Sequence, residues 1–342
     1  MGARPSRRRS ATAFWTASRR RRLSETAIAL GAAAVDMVNR PKAASTIEDR
    51  ERIINKRLIP RFGDLEALKI KPSVIRGWLE DVQDKEDLEN PTMDKIRNVL
   101  RLVYVSAQAN DLIPATSDAN PLTHVHINTT SDYEALLVTP QEAWSIICRM
   151  KAFERLLTVI VAVTGLRIEE VLALRWISVD WDQGLIYVLS NFVRGVFGEP
   201  KSKASKRPVV LHPIVMSLLK TWRETTAYAA DKDFIFASVR LKGRQPRVPN
   251  MLVEDHLRPA AIKVIQIPHG CRFGFHNLRH GLASFLVEVG TDPKTIQDSL
   301  RWADPSILLR TYAHSRLDKR REAQDKMVAA MGLNEATVHL IQ

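Results

Sequence analysis

Two short stretches hold the side chains best suited to chemistry. "HNLRHG" (276–281) places His276 and Arg279 three residues apart, so on a helix they project from one face, with His280 one turn beyond His276. "SILLRTYAHS" (306–315) sets Tyr312 among basic and hydroxylic neighbours. A phenol with a reference pKa of ~10 is a poor nucleophile near neutral pH, so chemistry at Tyr312 requires cationic help. Further upstream, Arg167 follows the apolar run "LLTVIVAVTG" and precedes Glu169 and Glu170. The two acids already supply the negative charge that a helix start prefers, and an arginine beside a core segment is costly unless an anion meets it. Its planar fork suits phosphate oxygens, although a surface arginine on a helix first turn is the simpler reading of that residue alone. A zinc site at His276 and His280 would want the acid of H-E-x-x-H, and position 277 is asparagine.

The composition narrows the partner. Of thirteen net positive charges, eight are arginines of residues 1–22, a stretch without an acid, which leaves +5 for the remainder. The balance favours a polyanion, weakly once that arm is set aside. Two cysteines, Cys148 and Cys271, give no disulfide framework and fit a reducing compartment, and no apolar run approaches the ~18 residues of a membrane span. "SRRRRLSETAIALGAAAV" imitates an export signal, but Glu25 and Asp36 interrupt it. Residues 1–45 are therefore expected to be a disordered basic arm, with Met37 as an alternative start.

The elements that must position these groups follow. Ile75, Trp78, Leu79 and Val82 keep helical spacing, as do Ile96, Val99, Leu100, Val103 and Ala107, and no strand-like alternation precedes residue 130. Residues 46 to about 114 form a helical domain, and "IPATSDANPLTHVHINTTSDY" has the composition of its exit linker. A second domain opens at "TPQEAW", with Thr139 as N-cap, Pro140 in the first turn and Glu142 closing a capping box. The apolar run ends at Gly165, "LIYVL" (185–189) and "RPVVLH" (207–212) are expected strands, "GEPKSKASK" is the charged loop before the second, and helices follow from about 213. The expected class is mainly α with a small β-sheet.

Taken in order, "TGLRIEE", "PKSKASKR", "HNLR", "LRWADPS" and "TYAHS" across 139–316 resemble the tyrosine recombinase (phage integrase) family, and 46–114 resembles its core-binding domain. The resemblance implies a helical core-binding domain, taken with its linker as 46–126, and an α+β catalytic domain at 133–320. It also implies a C-terminal tail, 321–342, that docks on a neighbouring protomer. Its site would comprise Tyr312 as nucleophile and Arg167 and Arg279 on the non-bridging phosphate oxygens. His276 would act as proton acceptor or phosphate ligand, Lys201 as general acid (Lys203 and Lys206 share its loop), and Trp302 would complete the cradle. Glu170 would orient these groups from behind. Many members carry "LGH" where this chain has "LRW": Trp302 keeps a donor that does not titrate, and Arg301 in place of glycine has no account at this level. The implied activity is site-specific DNA breakage and rejoining through a 3′-phosphotyrosine, without metal or cofactor, for integration or excision of a mobile element. The implied assembly is a homotetramer on two duplex sites, helped by accessory DNA-bending proteins, in the cytoplasm at the nucleoid. A type IB topoisomerase-like enzyme and a catalytically inactive DNA-binding protein remain the alternatives.

Overall fold

The computed structural model describes residues 44–128, 135–199, 207–302 and 317–330. They fall into two compact units that divide at residues 134 and 135, and each is a separate hydrophobic core.

The first unit is helical. Helix α1 (Ala44–Ile53) runs through a π-helical turn, Ile54–Leu58, into α2 (Ile59–Phe62). Helices α3 (Pro72–Glu86) and α4 (Asn90–Ala109) follow, each with a proline in its first turn, where a missing N–H costs nothing. The apolar stripes read from the sequence are the buried faces: Ile75, Trp78 and Leu79 on α3 meet Ile96, Val99, Leu100, Val103 and Ala107 on α4. Phe62 stands edge-on to Trp78 at 4.9 Å, and the buried Tyr104 hydroxyl donates to the Ala67 carbonyl at 2.9 Å.

The segment expected to be a linker differs. Ile113, Leu122 and Val125 belong to this core, and Leu122 and Val125 are fully buried. Asn120 caps a short 3-10 turn, Pro121–His124, and the Arg97 guanidinium donates to the carbonyls of Leu122 and Val125. The polar residues of this stretch satisfy the backbone of a turn while Ile113, Leu122 and Val125 anchor it. The first domain therefore extends at least to Val125, beyond the helical limit of about 114.

The second unit opens as expected: Thr139 caps α5 (Pro140–Cys148), its hydroxyl accepting from the Glu142 N–H while Glu142 returns the bond to the Thr139 N–H. Helix α6 (Ala152–Thr164) is the apolar run. A one-turn helix, α7 (Ile168–Leu172), leads to the strands. Strands β1 (Val179–Asp180), β2 (Leu185–Ile186) and β5 (Val209–Val210) form an antiparallel sheet in the order β1-β2-β5, with Leu185 opposite Val210 and Ile186 opposite Val209. A hairpin that the sequence reading left out stands apart. Its strands β3 (Asn191–Val193) and β4 (Val196–Gly198) turn on Arg194 and Gly195, both with positive φ, as the mirror-image hairpin turns require. Helices α8 (Pro213–Thr225), α9 (Pro249–Leu252), α10 (Arg258–Ala261), α11 (Phe275–Glu288), α12 (Pro293–Ser299) and α13 (Leu317–Ala330) follow, with a π-helical turn, Val253–Leu257, joining α9 to α10. The fold is mainly α with a small sheet. No described helix is long and apolar enough to cross a membrane.

Candidate active site

Arg167 owes its position to the end of α6. Gly165 takes φ +62° and terminates the helix in the left-handed conformation, the role glycine fills at low cost. The chain then turns so that Arg167, in extended conformation, becomes the cap of α7. Glu170, buried one turn on, grips it twice. Oε2 accepts the Arg167 backbone N–H at 3.1 Å and Oε1 accepts from the Arg167 guanidinium at 3.3 Å. The Arg167 side chain remains 40% exposed, against 7% for Glu170, so its outer edge is open to a ligand.

Helix α11 supplies the second pair. It lies close to the chain before α5, where a Cβ on Gly281 would come within 2.2 Å of the Val138 carbonyl oxygen. Asn277, at the place where a zinc hydrolase would carry its acid, is structural: it accepts from the Gly274 N–H at 2.9 Å and donates to the Leu136 carbonyl at 3.0 Å. Three residues after His276, Arg279 is buried, and its two Nη groups donate to the carbonyls of Gly165 and Leu300. Those carbonyls end α6 and α12, so one guanidinium joins the exits of two helices. The His276 ring keeps an exposed side and meets His280 edge-on at 4.7 Å. Among the described residues no three His, Cys, Asp or Glu side chains cluster as a metal site.

The third segment is the turn after α12. Trp302 is buried beside Ala283, Ile296 and Leu300, and the Arg279 guanidinium lies 5.8 Å from its ring centroid. Its backbone is fixed at both ends by Gln297, whose carbonyl accepts from the Trp302 N–H at 3.0 Å and whose amide donates to the Trp302 carbonyl at 3.2 Å. Between them Arg301, at φ +55°, turns inward and donates to Glu170 Oε2 at 3.3 Å. The arginine that replaces glycine in "LRW" is thus a sealed partner of the same carboxylate that holds Arg167.

Three guanidiniums therefore surround one described carboxylate. Burial, then the charge of Arg167 and to a smaller extent Arg301, pushes Arg279 down to about 9 against the pull of Glu170, which leaves it cationic at neutral pH. Arg301 is lowered as well, by burial first and by Arg167, with Glu170 opposing. Burial and the neighbouring His280, Arg279 and Arg167 lower His276 to about 4. Water screens part of that effect on a ring with an exposed side, and a lowered pKa leaves His276 neutral near pH 7, able to accept a proton or a hydrogen bond. A surplus of cationic donors with one open edge suits a phosphate group.

Arg167, Glu170, His276, Arg279 and Trp302, drawn from three distant stretches, are thus brought together. Lys201 and Tyr312 lie outside the described residues. Gly165, read from sequence only as the end of the apolar run, and Arg301, which had no account there, join the set; the visible signal at position 301 was the residue type, a charge standing where glycine is common.

Comparison with known proteins gives the same answer over most of the chain. The phage integrase family matches residues 126–319, and the N-terminal SAM-like domain of phage integrases matches residues 42–82. A tyrosine recombinase XerA from Thermococcus onnurineus is 27% identical over 56% of this chain, which spans 61% of that relative. The ICEBs1 integrase of Bacillus subtilis is 21% identical over 82% of this chain and 76% of its own length. The integrase of Mycobacterium phage L5 is 23% identical over 86% of this chain and 75% of its own. Among solved structures, the Tn1549 transposon integrase in complex with transposon right end DNA superposes with a TM-score of 0.71 at 20% identity, covering 89% of this chain and 99% of that one. A lambda integrase tetramer bound to a Holliday junction gives 0.63 at 20% identity, over 83% and 76%. The match to the integrase family takes in more than half of the residues, including every site residue named above, and the chain belongs to the phage integrase family.

Proposed function

We propose that this protein is a site-specific DNA recombinase that integrates or excises a mobile element. The observation that carries the reading is the convergence of Arg167, Arg279 and neutral His276 around one buried carboxylate, with the Arg167 edge left open. Tyr312 is the nucleophile. Its phenolic oxygen attacks a backbone phosphorus in line and loses its proton to His276 as the P–O5′ bond breaks. Lys201 protonates the departing 5′ oxygen as general acid. Arg167 and Arg279 hold the two non-bridging oxygens and offset the charge gathering on them, Trp302 closes the cradle, and Glu170 keeps Arg167 in register. The 3′-phosphotyrosine conserves the bond energy. A 5′-hydroxyl from a second duplex can therefore attack it, releasing Tyr312 and joining the exchanged strands without ATP. The helical first unit, with the basic residues 1–45 ahead of it, clamps the duplex. Four copies acting on two sites, with residues 321–342 of each docked on a neighbour and accessory DNA-bending proteins assisting, would order the exchanges. The relatives' names and the DNA in the Tn1549 and lambda structures support this assignment.

The test uses the full chain and nicked duplexes of randomised sequence, whose short cleaved strand diffuses away and traps the adduct. The expected result is a covalent DNA–protein species that maps to Tyr312 and is absent from Tyr312→Phe, while DNA retention by that variant is unchanged. An adduct formed at the normal rate by Tyr312→Phe would move the nucleophile elsewhere; no adduct at all would leave a binding protein.

A further inference from the structure

Arg301 joins three properties that each carry a cost: its side chain is 2% exposed, it is charged, and its φ of +55° strains any residue with a Cβ. Among the described contacts, the one that helps offset them is with Glu170. That carboxylate is divided, Oε1 to the Arg167 guanidinium at 3.3 Å, Oε2 to the Arg301 guanidinium at 3.3 Å and to the Arg167 backbone N–H at 3.1 Å. Without Arg301 a larger share of the negative charge of a buried carboxylate would face Arg167, with Arg279 the other described cation near it. It would cancel the charge that a ligand is meant to meet and draw the guanidinium inward, away from its open edge. The same turn carries the Leu300 carbonyl that receives Arg279, and then Trp302, so the conformation of residue 301 also sets two other parts of the cradle.

We propose that Arg301 is a positioning residue for DNA strand cleavage, an inference that rests on the recombinase reading above. By taking up one side of the Glu170 charge it keeps the outer edge of Arg167 available to the scissile phosphate. It touches no substrate itself, since its head group is sealed behind Glu170. Glycine at 301 would keep the left-handed turn while removing the side chain, and Arg301→Lys, which keeps most of the buried stem and a charge, separates the guanidinium from the packing.

The experiment compares the wild type with Arg301→Gly, Arg301→Lys, Glu170→Gln and the double variant Arg301→Gly/Glu170→Gln, all as full chains. It follows single-turnover adduct formation on the randomised nicked duplexes, DNA retention, and melting temperature. Arg301→Gly is expected to slow adduct formation by about 10²-fold, the scale of a misplaced binding group, with DNA retention unchanged. Arg301→Lys should recover part of the rate. The double variant should be faster than Arg301→Gly, because a neutral residue 170 no longer claims Arg167, and the melting temperatures should be non-additive across the four proteins. A merely structural Arg301 would make the double variant slower than either single one. That result, or wild-type cleavage by Arg301→Gly, overturns the proposal and leaves the recombinase reading intact. A wild type that forms no Tyr312-dependent adduct overturns the recombinase reading, and the role of Arg301 falls with it even where the melting temperatures couple.

Discussion

Replacing Gly165 by alanine tests the geometry of the site at its hinge. The residue sits at φ +62°, where a Cβ costs ~1–2 kcal/mol relative to glycine. That Cβ would stand 2.5 Å from Leu300 Cδ2 and 3.3 Å from Leu282 Cδ2. Leu300 is fully buried, so its methyl can yield only by shifting the turn after α12, an overpacking cost of ~1–3 kcal/mol. The sum is ~2–5 kcal/mol, which for a unit of this size lowers the melting temperature by about 5–15 °C. The carbonyls of Gly165 and Leu300 both receive Arg279, so the displacement that relieves the clash also moves the guanidinium to which the proposed mechanism gives a non-bridging oxygen. Adduct formation on the nicked duplexes should therefore fall further than the loss of folded protein explains, by about 10²-fold at a temperature where the variant is folded. Gly165→Ala/Leu300→Ala removes the contact with residue 300 but not the φ strain; its own core cavity lowers stability, yet its cleavage rate should exceed that of Gly165→Ala. A Gly165→Ala variant that melts within a degree of the wild type and cleaves normally would refute the account of the turn.

Two further outcomes follow from the same structure. His276 has its pKa lowered from 6.5 to about 4, so the unfolded chain takes up a proton before the folded one does: stability is full above pH 6.5, falls as the pH drops towards about 4, and levels off below it. Urea midpoints between pH 7.5 and 4 should decline less in His276→Gln than in the wild type, with His280, lowered in the same direction, accounting for part of the remainder; equal declines would show that His276 is not the group. Leu122→Ala should cost ~2–5 kcal/mol in chemical denaturation, because the residue is fully buried in the first unit; a cost below ~0.5 kcal/mol would return its segment to the status of a linker.

How much of this was legible in the sequence depended on whether the signal was local. The Thr139–Glu142 capping box, the Gly165 stop and the apolar faces of α3 and α4 are properties of a few adjacent residues, and each stands where its pattern put it. The segment 113–125 misled because its composition is that of a turn, which it is, while the three apolar residues that tie it to the core, Ile113, Leu122 and Val125, are too few and too widely spaced to show a period. The β3–β4 hairpin hid for a different reason. Its strands have three residues each and turn on Arg194-Gly195, where an arginine takes the positive φ that asparagine or aspartate usually fills. For the candidate site, the order of motifs indicated which residue types would meet, and the structure brings Arg167, Glu170, His276, Arg279 and Trp302 to one place. The inward turn of Arg301 was illegible, because nothing near position 301 says that a carboxylate 131 residues earlier waits for it.

That carboxylate also explains how a folded protein tolerates such a site. Two of the three guanidiniums are buried, and all three repel one another, which is why the pKa values of Arg279 and Arg301 are pushed down, by burial first and by their neighbours' charge second. Glu170 offsets part of this; the two backbone carbonyls that receive Arg279 offset more without adding negative charge. Among the described residues what remains is a local surplus of positive charge, which an anion from outside would relieve. A phosphate at the open edge of Arg167 would relieve that repulsion on arrival, and would do so more fully as its equatorial oxygens gather charge in the transition state. On the proposed function the repulsion is therefore located where binding energy is most useful: it would be carried by the unliganded protein, released in part on DNA binding, and released furthest at the moment of bond exchange. A second carboxylate in place of either carbonyl would stabilise the empty site and weaken it as a receptor for the reaction.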